Sequence, residues 1–284
     1  MRRTASLLLS GACLLHWAVP VAADPLDPAE TVAQVDPAVQ DSVPAISIII
    51  DDMGYRLHDG LRALTLPGPV AYSVLPHSPD GASLAEAASR AGKDVLLHLP
   101  MQAHANNQLL GPGAIMENMS REQVETTVRE DFAAVPHAIG VNNHMGSVLT
   151  AEEQPMQWVM EAIKSEGRVL FVDSRTTGRT VAARTAVQND IPTLGRDVFL
   201  DNQEDRQYIR GQLFALIEKA KRDGFALAIG HPKPETLDVL SETLPDLERY
   251  GVKLVSLREL LAIQQRRDPS WQVSLSRWPK AVKN

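Results

Sequence analysis

The chain has 284 residues, 44% hydrophobic and 22% charged, which is ordinary for a globular protein and ample for one large domain or two small ones. Its formal net charge of −7 argues against a general nucleic-acid binder, which needs a basic face. Cys13 is the only cysteine, so a chain cleaved after it has no disulfide, thiolate ligand or cysteine nucleophile.

Residues 1–23 read as an export signal. Arg2 and Arg3 form a basic start, "LLLSGACLLHWAV" is the apolar stretch, and Val21-Ala22-Ala23 offers small residues before a cut at Asp24. The apolar stretch is short for a membrane span of about 20 residues, which predicts no stable span after cleavage. Ser10 stands where a lipoprotein signal prefers a branched apolar residue, which argues against lipidation at Cys13. Residues 24–44 hold four prolines and five acids with no base, and read as a disordered spacer.

From Ala45 to Ile263 the pattern alternates. Short apolar, β-rich runs occur at Ile46–Ile50, Val70–Leu75, Val95–His98, Ala138–Asn142, Val169–Val172, Thr193–Phe199, Ala226–Ile229 and Val252–Val255. Helical spacing appears at Asp80–Gly92, at Ser120–Val135 behind a Ser120/Gln123 capping box, and at Gln154–Gly167, Glu204–Gly224 and Glu235–Gly251. Strand and helix in alternation predict an α/β domain with a parallel sheet. Eight strands in this length favour a closed or nearly closed barrel. The competing open doubly wound sheet lacks its glycine-rich fingerprint here. Residues 264–284 form a basic tail with Trp271 and Trp278, a solvated extension or a contact for an envelope surface or protein partner.

Sites in α/β folds form at the C-terminal ends of strands. The first run, "SIIIDDMGY", ends in Asp51 and Asp52. Later runs end in His98; in Asn142, Asn143 and His144; in Asp173, Ser174 and Arg175; in Asp201 and Asn202; and in His231. Asp and His without Cys suit Zn²⁺ or a similar divalent ion. Such an ion acidifies water and polarises a carbonyl, and a carboxylate beside the ligands can accept the proton. Adjacent strand residues point to opposite faces, so Asp51 and Asp52 serve one site only if the chain turns there, and Gly54 permits a turn.

"IIIDDMGY", "LLHLPM", "GVNNHMGS", "FVDSRT", "RDVFLDN" and "IGHPKPETL", in this order, resemble the divergent polysaccharide deacetylases, exported bacterial relatives of the NodB-like carbohydrate esterases. The resemblance spans Ala45 to Leu261. It implies a distorted (β/α) barrel of the NodB/polysaccharide-deacetylase type, an envelope location (periplasmic or secreted), and metal-dependent removal of N- or O-acetyl groups from a polysaccharide. It implies Asp51 as base, Asp52 and His98 as metal ligands, and His231 as general acid. It places Gln102 where the ordinary enzymes carry a second metal histidine four residues after the first. His144 is the candidate third ligand and His104 a weaker one. Asp173 becomes the orienter of His231 or another site carboxylate, with Asn143, Asp201 and Gln102 as further site residues. The metal, with Arg175 or a backbone N–H, becomes the oxyanion stabiliser.

The expectation is an exported deacetylase of peptidoglycan or another envelope glycan, with divisions at 1–23, 24–44, 45–263 and 264–284. The alternative is a non-catalytic glycan-binding or accessory protein of envelope remodelling that keeps the fold. A third reading, a phosphatase with Asp51 as nucleophile, has less support.

Overall fold

The computed structural model describes residues 43–267 except 168. The expected export signal, nearly all of the acidic spacer and the tail beyond Arg267 lie outside the described residues. All eight apolar runs become strands: β1 Ala45–Met53, β2 Ala71–Val74, β3 Val95–Met101, β4 Ala138–Met145, β5 Leu170–Asp173, β6 Thr193–Gly195, β7 Val198–Phe199, β8 Phe225–Gly230 and β9 Lys253–Leu254. The extra strand arises because the Thr193–Phe199 run splits in two.

That split closes the barrel. The sheet runs β6-β5-β4-β3-β2-β1-β8-β7, every described pairing is parallel, and β9 adds to the start of β1. The two outer members of this order are joined in sequence by only Arg196 and Asp197. One extended segment thus pairs with β5 through its first half and with β8 through its second. Across the seam, Arg196 N donates to Asp173 O at 2.9 Å and Asp197 N to Leu227 O at 2.8 Å. The fold is a distorted (β/α) barrel, with this broken stave as its distortion.

Burial on both faces explains why the strands read as unbroken apolar runs. On β1, Ile46, Ile48 and Ile50 pack in the layer under the helices, while Ala45 and Ile49 pack in the barrel interior. By the same alternation Ser47 and Asp51 face inward. The interior is apolar at its base: Ile49, Leu96, Val172, Leu227 and Ile229 join Leu257, Leu260 and Ile263 of the last helix, Leu257–Arg267. That helix plugs the end where the strands begin. Ser47, on the interior face, is satisfied there by donating to Val255 O at 2.6 Å. The other end is left to polar side chains.

The helices follow their local signals. Ser120 and Gln123 form the reciprocal capping box before Arg121–Ala134. Arg206–Asp223 ends at Gly224, whose φ of 86° suits glycine. The expected helix to Gly251 stops at Thr243 and continues as a tighter 3₁₀ stretch, Leu244–Tyr250. Pro245 lacks the N–H an α-helix would need there. Three short helices, of 8, 7 and 11 residues, were not foreseen: Leu57–Leu64, Ala182–Gln188 and Leu257–Arg267.

Leu260 is fully buried against the barrel base. Leu260→Ala is expected to cost about 2–5 kcal/mol of stability. Urea unfolding of the folded domain checks this, and a midpoint equal to wild type would show that the helix does not plug the base.

Candidate metal and acid–base site

The first strand does not end as a regular strand. Its register against β2 shifts between Ile50 and Met53. Within that bulge Asp52 adopts a φ of +56°, a left-handed conformation that costs a non-glycine residue free energy. Gly54 follows at φ +133°, where a Cβ would lie 1.9 Å from Ser78 Oγ. Only glycine fits that crossing. The turn brings Asp52 onto the side of the strand that Asp51 already faces, so both carboxylates line one cavity.

Two histidines from neighbouring staves meet Asp52. His98 Nε2 stands 3.2 Å and His144 Nδ1 3.1 Å from Asp52 Oδ1. The two nitrogens are 3.2 Å from each other. Three donor atoms thus form a near-equilateral triangle. Ligand atoms of a tetrahedral Zn²⁺ with bonds of about 2.0–2.1 Å stand roughly 3.3–3.4 Å apart, close to these edges. Asp52 Oδ1 is buried yet has no hydrogen bond of acceptable geometry. An orphaned buried carboxylate oxygen beside two imidazole nitrogens fits a divalent cation. Among the described residues this is the cluster of three or more His, Cys, Asp or Glu groups with metal-ligand spacing.

Two ionisable groups flank the triangle. Asp51 is almost wholly buried, and its Oδ2 lies 3.6 Å from His98 Nε2. Burial raises its pKa above the ordinary carboxylate value, with the charge of Asp52 adding to the shift and His98, His231 and Asn142 opposing it. Burial also disfavours the charged form of Asp52, but the His144 and His98 rings beside it hold its carboxyl well below the usual range. His98 is raised: burial opposes its charge, and Asp51 and Asp52 outweigh burial.

His231, at the end of β8, holds its Nε2 3.7 Å from Asp52 Oδ2. Its Nδ1 is 2.9 Å from Asp201 Oδ1. Burial disfavours the imidazolium, yet the Asp201 hydrogen bond and the charges of Asp52, Asp201 and Asp51 raise its pKa to about 9. Asp201 is itself fixed by the His231 N–H at 2.7 Å and Thr236 Oγ1 at 2.8 Å. The ring edge meets Phe199, with centroids 5.4 Å apart.

Several residues expected at the site either lie outside it or line the cavity in another role. Asp173 does not touch His231. Its Oδ1 accepts from Arg175 N at 2.8 Å and its Oδ2 from Thr180 Oγ1 at 3.0 Å, so it braces the turn before the Ala182–Gln188 helix. The orienter of His231 is Asp201. Asn143 lines the cavity but is no fourth donor to the triangle: its Oδ1 accepts from Ser174 N at 2.9 Å and its Nδ2 donates to Met145 O at 2.7 Å. Arg175 lines the cavity, but its Nη1 donates to Arg196 O at 3.0 Å. That bond ties one end of the guanidinium to the barrel seam. Gln102 reaches Glu117, donating at 3.1 Å and accepting its N–H at 2.8 Å, and does not enter the site. Four residues along a strand is about 13 Å, and the two positions bracket the end of β3. His104 meets Arg179 at 3.4 Å on the surface.

Asn142 was named at its strand end but not assigned to the site, and it is a central member. It shares the inward face of β4 with His144, two residues on, which alternation alone would have flagged. The cavity is about 790 Å³, and exposed Tyr55 and Leu109 stand on its lip with Arg56, Lys233 and Asn202.

Residues 48–261 match the family described as divergent polysaccharide deacetylase. The chain is 39% identical over 216 residues to the uncharacterized protein YibQ of Escherichia coli K12, covering 76% of this chain and 67% of that one. It is 35% identical over 215 residues to an uncharacterized protein of Haemophilus influenzae, covering 76% of each. Among solved structures, an uncharacterized protein from Agrobacterium tumefaciens C58 superposes with a TM-score of 0.73 at 20% identity, over 76% of this chain and 89% of that chain. That last likeness is one of fold.

Two outcomes are expected of substitutions here. Asp52→Ala, His98→Ala and His144→Ala each abolish stoichiometric Zn²⁺ uptake in metal analysis of the purified protein, whereas Asp173→Ala and His104→Ala leave it intact; equal uptake by all five would refute the triangle as the metal site. Because Asp201 raises the pKa of His231, its proton is held at neutral pH and lost as pH rises through about 9. Asp201→Asn should therefore bring that titration to lower pH, read from the His231 ring resonances by NMR. An unmoved titration would exclude Asp201 as the cause.

Proposed function

The chain belongs to the divergent polysaccharide deacetylases, and from that premise we propose that it is a metal-dependent hydrolase of N- or O-acetyl groups on an envelope glycan such as peptidoglycan. The single observation that carries this reading is the Asp52–His98–His144 triangle, with Asp51 on one side and His231 on the other. The accessory-protein alternative drew its support from Gln102 standing where a second histidine was expected. With His144 as the third donor, from the stave next to that of His98, that motive loses its force.

Asp52, His98 and His144 would hold a divalent cation, which would supply Lewis acidity for an acetyl carbonyl and a water beside it. The chain's own groups then divide the proton work. Asp51 is a buried carboxyl with a raised pKa, suited to take a proton from the attacking water. His231 enters the reaction protonated: its Nδ1–H is committed to Asp201, and its Nε2–H faces the cavity and can pass to the leaving amine or alcohol. Two groups whose surroundings hold them in opposite roles, one a base and one an acid, suit hydrolysis near neutral pH.

The cavity supports a glycan better than a small metabolite. It is far larger than an acetyl group, and Tyr55 and Leu109, half or more exposed at its lip, offer apolar faces to sugar rings. Arg56, Lys233 and Asn202 beside them offer hydrogen bonds to hydroxyl or carboxylate groups. The proposed location is the periplasm or the cell exterior, on the strength of the export signal read in residues 1–23. No helix among the described residues is long and apolar enough to cross a membrane.

Zn²⁺-loaded protein should release acetate from acetylated peptidoglycan fragments or chito-oligosaccharides, and Asp51→Asn should slow release by about 10²–10⁴-fold. Tyr55→Ala should raise KM for oligosaccharides and leave turnover of a small aryl acetate unchanged. A metal-loaded protein that releases no acetate from any acetylated glycan tested would overturn the hydrolase reading.

A further inference from the structure

We propose that Asn142 is the positioning residue of the metal centre: its amide decides which nitrogen of His98 carries the proton, and so keeps Nε2 free to bind the cation. This role rests on the metal reading above and goes beyond it, because Asn142 is not itself one of the three donors.

Asn142 is fully buried and uses its whole hydrogen-bonding capacity. Its Nδ2 donates to Asp51 Oδ1 at 2.8 Å and to Ser174 Oγ at 3.4 Å. Its Oδ1 receives Ser73 Oγ and lies 2.8 Å from His98 Nδ1. The amide has one stable orientation. Turned over, its carbonyl would face the Asp51 carboxylate and its NH₂ would lose its acceptor there. With the oxygen toward His98, only the tautomer protonated at Nδ1 completes the bond. The Nε2 lone pair then points into the triangle with Asp52 Oδ1. His144 is held the same way at its other end: its Nε2 lies 3.4 Å from Leu109 O, an acceptor only, which leaves Nδ1 to the triangle. Three lone pairs converge on one point, and Asn142 is the link that ties this convergence to Asp51. The ligand and the amide come from the adjacent staves β3 and β4 and the base from β1, all fixed in one sheet, so the coupling needs no moving part.

A hydrogen-bonded partner behind a metal-binding histidine is worth about 10–100-fold in metal affinity. Asn142→Leu removes every bond and should weaken Zn²⁺ binding, measured by competition with a chromogenic chelator, by that factor. Ser73→Ala removes a different bond to the same amide oxygen, leaves His98 Nδ1 its acceptor, and should stay within several-fold of wild type. Both comparisons require a cooperative thermal transition. A folded Asn142→Leu that binds as wild type does, or a Ser73→Ala that loses as much as Asn142→Leu, overturns the role. If the leucine variant does not fold, ¹⁵N NMR of the wild-type imidazoles decides: the proposal requires His98 protonated at Nδ1, and a proton on Nε2 alone overturns it. The same spectrum, taken without metal at a pH where the ring is neutral, decides the tautomer independently. A wild-type chain that takes up no Zn²⁺ therefore refutes the metal reading separately.

Discussion

Two consecutive carboxylates must face one cavity from the end of a strand, and a regular strand cannot do this. Every feature of the site depends on how β1 breaks that rule. The bulge after Ile50 and the left-handed turn at Asp52 place both acids on the inner side. Gly54 is required because the returning chain passes against Ser78, and Ser78 is fixed by donating to Leu75 O at 2.6 Å. Local strain at Asp52 is held in place by a barrel whose strand is buried on both faces. The ring of staves then decides what the turn meets: His98 and His144 on one side, His231 on the other.

The charge arrangement follows from depth in this pocket. Asp51 is the deeper acid and pays most for burial, so its carboxyl is raised. Asp52 sits at the mouth between two imidazoles and is lowered. His231 is raised by a carboxylate that is itself bound by two donors. The pairing of neighbouring groups with opposite shifts is a consequence of which face each strand turns inward. It is also what a hydrolytic site needs, since the acid and the base must hold different protonation states at one pH.

Much of this was legible in the sequence. All eight apolar runs contribute strands, and of the acids and histidines collected from their ends Asp51, Asp52, His98, His144, Asp201 and His231 meet around one cavity while Asp173 does not. What stayed hidden had physical causes. Thr193–Phe199 looked like one strand because the split is a matter of partners on either side of Arg196 and Asp197. Asp173 and Asp201 both follow apolar runs, and only tertiary contacts reveal that one braces a turn and the other binds His231. Asn142 and Asn143 are adjacent and chemically identical, and the choice between them needs the inward parity of β4. Gln102 sat at an expected motif position, yet it lies past the end of the strand, with its amide bound to Glu117. The helix that plugs the barrel base was hidden by its shortness, 11 residues, and its continuity with a basic tail.

Asp52, His98 and His144 are proposed to bind one divalent cation, and the chemistry proposed for the site depends on it. The most direct test is a crystal structure of Zn²⁺-soaked protein with anomalous data collected at the zinc edge. The account predicts a single strong peak bonded to Asp52 Oδ1, His98 Nε2 and His144 Nδ1 at about 2.0–2.2 Å. A fully soaked crystal with no peak there, or with zinc bound by other residues, would contradict it.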